Sequence, residues 1–140
     1  MKATIRYPVF PTEDIEKAET AVGNLLGPIE FTIDEFSERV DLVAISEHRE
    51  QFGYLRQSIH SKRILDAVRV RLLKNLDEFT TFLYFDKQAA FVGKPRLIDN
   101  IHEEPPLGSI EINFEFKSQI KFEEFLDWFS PRTKDGKVIN

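Results

Sequence analysis

Apolar and polar residues alternate most cleanly at Ile110, Ile112, Phe114 and Phe116, set against Glu111, Asn113, Glu115 and Lys117. A period of two puts the first set on one face of an extended chain and the polar set on the other, which predicts a strand with one wet face. The same alternation in Ala3, Ile5, Tyr7 and Val9 against Lys2, Thr4, Arg6 and Pro8 predicts another, stopping at Pro11. Ile29, Phe31 and Ile33, then Val40–Ile45 after the polar break 34–39, predict a hairpin. Residues 79–85, FTTFLYF, are apolar on both faces around Phe82–Phe85 and predict an interior strand, with a shorter one at Arg96–Ile98.

Helical spacing takes over between these runs. Ile15, Ala18, Val22, Leu25 and Leu26 form one stripe, opened by Thr12 as N-cap, with Glu13 and Asp14 in the first turn, and closed by Gly27 and Pro28. Phe52, Leu55 and Ile59 predict a helix from near Glu47, and Ser61 is the expected N-cap of the next. In that next helix Ile64, Leu65, Val68, Leu72 and Leu76 share an arc of about a third of the circle, the width of a core-facing stripe. Phe122, Phe125, Leu126 and Phe129 predict a last helix ended by Ser130 and Pro131. Ala89–Val92 is a short apolar run punctuated by Gly93 and Pro95, 102–108 with its adjacent prolines reads as a loop, and 132–140 reads as a polar tail that frays past Gly136.

Strands and helices interleave without a regular βαβ alternation. This predicts a single α+β domain over 1–140, with a mixed or mostly antiparallel sheet and helices packed on one face. A chain of 140 residues can bury about two-thirds of its unfolded surface, and 13 phenylalanines imply an aromatic core. The absence of cysteine removes disulfides, thiolate metal sites and cysteine nucleophiles. Neither a signal-peptide pattern nor a long apolar run is present, so a cytoplasmic protein without a membrane span is expected.

Charge narrows the choice of partner. At a net −5 the chain repels a polyanion at long range, so any nucleic-acid contact must use a local patch. Such a patch exists between Arg56 and Lys74: six bases (Arg56, Lys62, Arg63, Arg69, Arg71, Lys74) against Asp66 alone give +5, leaving −10 for the remainder. Lys87, Lys94 and Arg96 follow the central strand and extend it. Guanidinium groups match phosphate oxygens and stack on bases. A solvated basic helix face carries the same pattern without a ligand and, on residues alone, is the commoner explanation.

Catalytic constellations do not emerge. His48, His60 and His102 have no metal-ligand spacing, and glycines 23, 27, 53, 93, 108 and 136 never cluster into a phosphate-cradling loop. Glu103–Glu104 and Glu123–Glu124 are adjacent pairs of the kind common on surfaces. No catalytic residue, cofactor or metal ligand is assigned, and an enzyme acting on RNA or nucleotides is unsupported.

The segments YPVFPTED (7–14), KRILDAVR (62–69), DKQAAFVGK (86–94), PLGSIEI (106–112) and FLDWFSPRTKDG (125–136) resemble, in order, an archaeal family of small, largely uncharacterised proteins labelled RNA-binding. The resemblance implies an α+β fold similar to the 5S-rRNA-binding protein of the large ribosomal subunit, and RNA as the ligand. Carried onto the matching positions, it adds Arg63, Arg69, Lys87, Gln88, Lys94, Arg132 and Lys134 as candidate contacts, with Asp135 and Gly136 in a turn. The competing expectation is a homodimeric interaction module without nucleic-acid binding, pairing through an apolar sheet edge or through the last helix beside Trp128.

Overall fold

A strand whose alternate residues are apolar has one face to bury, and β1 (Lys2–Val9) buries Ala3, Ile5, Tyr7 and Val9. The computed structural model describes residues 1–98, 103–134 and 137–139. After β1 come α1 (Ile15–Leu26), the hairpin β2 (Thr32–Glu35) and β3 (Val40–Ser46), a 3-10 turn (Arg49–Phe52), α2 (Gly53–Ser61) and α3 (Leu65–Lys74). Then follow β4 (Thr80–Asp86), α4 (Lys87–Ala90), β5 (Ser109–Glu115), α5 (Gln119–Phe129) and the short pair β6 (Thr133–Lys134) and β7 (Lys137–Val138). Five strands make one antiparallel sheet in the order β2-β3-β1-β5-β4, so β1 is central.

Register explains the core. Ile5 lies opposite Ala44 and Ile112, and Ile112 opposite Leu83, so one buried row crosses four strands. The apolar stripes of α1, α2, α3 and α5 join this row in one cluster, which fixes the α+β architecture with helices on one face. Phe114 anchors it, with Phe52 at 5.3 Å and Phe125 at 4.9 Å between ring centroids. The opposite face, carrying Arg6, Ile45, Tyr84 and Glu111, has no helix over it among the described residues, and Ile45 is 60% exposed.

The structure differs from the sequence reading at five places, the first being that Arg96–Ile98 forms no strand: only an isolated bridge pairs Leu97 with Phe85. The N-cap of α1 is Asp14, whose side chain accepts from the Glu16 amide at 2.9 Å, not Thr12. Ser61 ends α2 instead of capping α3, whose first turn has no side-chain cap. Strand β4 is an edge strand, not an interior one: Asn75 Nδ2 donates to the Phe82 carbonyl at 2.9 Å and the Ile98 amide to the Tyr84 carbonyl at 2.8 Å. Those bonds cover the free edge, which is how an aromatic strand can sit there. The tail does not simply fray past Gly136, since β6 and β7 pair Thr133 with Val138 and Lys134 with Lys137, while Asp135 and Gly136 lie outside the described residues. Among the described residues no helix is long and apolar enough to cross a membrane.

One core residue yields a stability test. Tyr7 packs edge-on against Phe31 at 5.0 Å, yet its buried hydroxyl has no partner among the described residues, and burial pushes its pKa above the ordinary value. Tyr7→Phe removes an unsatisfied hydroxyl and should raise stability by about 1 kcal/mol in urea unfolding. A raised folded pKa means that the native state holds its proton where the unfolded chain loses it, so the wild type loses stability as pH rises above about 10. The Tyr7→Phe variant should lack that alkaline loss.

Candidate nucleic-acid interface

The corner between α2 and α3 is built from a left-handed helix stop. The Ile64 amide donates back to Ile59 at 3.1 Å and the Arg63 amide to His60 at 3.3 Å, a pattern that needs a positive φ at the intervening residue. That residue is Arg63, at φ 58°, where glycine is the usual occupant. Lys62 and Arg63 project from this corner exposed. The tail is fastened to the same place, because Thr133 Oγ1 donates to Asp66 Oδ1 at 2.6 Å. That bond gives Asp66 a partner and holds the chain between the exposed Arg132 and Lys134 to the first turn of α3.

Other sequence candidates are committed elsewhere. Arg56 Nε donates to the Trp128 carbonyl at 2.6 Å, and its guanidinium lies 5.3 Å from the indole centroid. Arg69 binds Asp127 at 3.1 Å and the Ser130 carbonyl at 2.9 Å, with its side chain 14% exposed. Arg96 pairs with Asp86 and Glu103, which raise its pKa further. Lys87 is fully buried against Glu13. Arg71 is half-buried in α3, Lys74 is exposed in its last turn, and Gln88 and Lys94 are exposed around α4. Among the described residues Lys62, Arg63, Lys74, Lys94, Arg132 and Lys134 form no ion pair with a carboxylate. The structure therefore leaves Lys62, Arg63, Lys74, Lys94, Arg132 and Lys134 exposed, and takes Arg56, Arg69, Lys87 and Arg96 into internal contacts.

A family model described as RNA binding matches residues 2–116. A UPF0201 protein of Thermococcus kodakarensis is 34% identical over 131 residues, covering 94% of this chain and 90% of its own length. The chain belongs to this RNA-binding family and to the UPF0201 proteins. Another UPF0201 protein, from Aeropyrum pernix, is 31% identical over 99% of this chain and 91% of its own. The crystal structure of a UPF0201 protein from Methanococcus jannaschii superposes with a TM-score of 0.82 at 28% identity, covering 100% of both chains.

In this UPF0201 chain the model match stops at residue 116, so Lys62 and Arg63 fall inside it and the tail cations outside it. Sequence reasoning missed two exposed aromatics near the corner, Tyr54 on α2 and Phe91 after α4. Both lie off the core stripes, which is the signal that could have found them. It missed also the buried Asp41, which accepts from Arg6 at 2.9 Å and Arg39 at 3.0 Å and so leaves those arginines little charge for a ligand. Of the histidines, His48 is exposed and His102 lies outside the described residues. Burial lowers the pKa of His60, whose Nε2 donates to the Phe129 carbonyl at 3.3 Å.

Proposed function

We infer that this UPF0201 protein is a non-catalytic RNA-binding protein that holds the phosphate backbone at the α2–α3 corner through Lys62, Arg63, Arg132 and Lys134. Lys74, exposed at the far end of α3, and Lys94, exposed after α4, are further candidate contacts. The observation that supports the reading is the hydrogen bond from Thr133, which lies between Arg132 and Lys134 in the chain, to Asp66, three residues after Arg63. Four exposed cations without carboxylate partners among the described residues would supply the local patch that an otherwise acidic chain needs to approach a polyanion. Anisotropy titration against structured and single-stranded RNA should give micromolar or tighter binding whose logarithm falls with the logarithm of salt at a slope of roughly −3, for four contacts. Absence of salt-dependent binding removes the reading.

Arg63 separates structural from functional demands. An arginine at positive φ costs about 1 kcal/mol relative to a residue without Cβ. Arg63→Gly should therefore raise the thermal midpoint while weakening RNA binding. A variant that gains stability and keeps full affinity would take Arg63 out of the interface.

The sheet face away from the helices, where Ile45 is 60% exposed, favours a second reading: self-association as a homodimer. Trp128 gives it less support, since Arg49 and Arg56 lie over the indole at 5.1 and 5.3 Å from its centroid. Light scattering decides it, because a monomer at high concentration is incompatible with that assembly.

A further inference from the structure

A groove between α1, α2 and the turn after α4 takes no part in the backbone contacts above. It encloses about 680 Å³. Tyr54 and Phe91 line it with 54% and 38% of their surfaces exposed, and Asn24, Gln57, Ser58 and Ser61 contribute amides and hydroxyls. Gly27, whose φ of 74° suits glycine, packs beside Tyr54: a Cβ there would meet the Tyr54 Cβ at 3.5 Å, an ordinary contact. A second hollow of about 350 Å³ shares Asn24 and Phe91 and continues along α1 to Asp14 and Glu16.

The groove has a charged direction. At one end, Lys62 and Arg63 follow Ser61 in the chain and Lys94 follows Gly93, all three exposed. At the other end stand Asp14 and Glu16, with Lys17 beside them. A phosphate is drawn to the first end and repelled from the acids at the second.

We propose that this groove receives an unpaired nucleobase of single-stranded RNA, stacked against Tyr54 or Phe91, with its phosphate at the Lys62, Arg63 and Lys94 end. The inference rests on the RNA-binding reading and adds to it a preference for unpaired over duplex RNA. Exposed rings beside amides and hydroxyls suit a base, which offers a flat face for stacking and polar edges for hydrogen bonds. Bases inside a duplex are stacked on their neighbours and cannot enter. A net-positive end opposite a net-negative one suits a ligand whose negative charge lies at the edge of its flat part.

The test is anisotropy titration of the full chain with labelled oligouridylate, oligoadenylate and a hairpin duplex of matched length, at two salt concentrations. Wild type should bind the single strands more tightly than the duplex. Tyr54→Leu with Phe91→Leu keeps apolar bulk but removes the ring planes, and should lose on the order of tenfold in single-strand affinity with the salt slope unchanged. Duplex binding should not move. Gln57→Glu, at an exposed position, should weaken single-strand binding in the same way and serves if the ring variant does not fold. If wild type binds no RNA of any kind, the RNA-binding reading fails and this inference with it. If wild type binds RNA but takes duplex equally well, or if the folded variants bind single strands as tightly as wild type, the groove inference alone is overturned.

Discussion

Lys87→Ala should lower stability by about 3–5 kcal/mol, the cost of leaving a buried charge without its partner. The ammonium is fully buried, donates to Glu13 Oε1 at 2.7 Å and to the Pro8 carbonyl at 2.6 Å, and lies 5.6 Å from the centroid of the Phe10 ring. One side chain thus ties the end of β1 and the approach to α1 onto α4. Truncation leaves the Glu13 carboxylate, 9% exposed, without a cation, and its second oxygen already lacks a hydrogen-bond partner among the described residues. Domains of this size are stable by about 5–15 kcal/mol, so the variant should lose a large share of its stability. The double change Glu13→Leu with Lys87→Met removes both charges and should recover most of the loss, since apolar replacement of a buried pair is often neutral or better. Urea unfolding of the two singles and the double gives the coupling; a double variant as unstable as Lys87→Ala would show that packing matters here and the charges do not.

The same pair sets a pH dependence. Burial lowers the pKa of Lys87, with Glu13 opposing in part. A lowered folded pKa means that the unfolded chain binds more protons than the native one between that value and the ordinary lysine value near 10.4, so this group makes stability climb with pH through that window. The double variant should lose the climb. Tyr7 acts in the opposite sense and only above about pH 10, so measuring in the Tyr7→Phe background separates the two.

Reversing Lys62, Arg63, Arg132 and Lys134 to glutamate together should weaken RNA binding by a hundredfold or more, on the order expected when several phosphate contacts become repulsions. All four are exposed, so the urea midpoint should change little, apart from strain at residue 63 that Glu retains. Replacing the same four by glutamine should flatten the salt slope without adding repulsion. The matching control, Arg96→Gln, touches a cation already held by Asp86 and Glu103 and should leave affinity near wild type. An unchanged affinity in the fourfold glutamate variant would exclude the corner as the interface.

Much of this architecture was legible from spacing. The strands at 3–9, 40–45 and 110–116 and the helices over α1, α3 and α5 follow their periods, because burial of one face is a local demand written every second or every third to fourth residue. Edge or interior position is not local: β4 reads as interior from FTTFLYF because the residues that shield its edge, Asn75 and Ile98, lie outside the run. The candidate site was half legible for the same reason. Counting charges located Lys62 and Arg63, but the pairing of Arg69 with Asp127 and Lys87 with Glu13 joins residues 58 and 74 positions apart, which no window reveals. The helix stop at Arg63 was hidden because a non-glycine residue fills a position that sequence rules reserve for glycine.

The central place of β1 has a consequence for how the chain reaches this state. Its register joins Lys2 to Glu115, so the middle of the sheet closes only once the ends of a very long loop meet. High contact order of this kind slows folding toward milliseconds to seconds. During synthesis, residues 2–9 must wait, apolar side chains and one unpaired backbone edge uncovered, until residues 109–115 have left the ribosome. That interval is when the nascent protein is most open to aggregation and most in need of a chaperone.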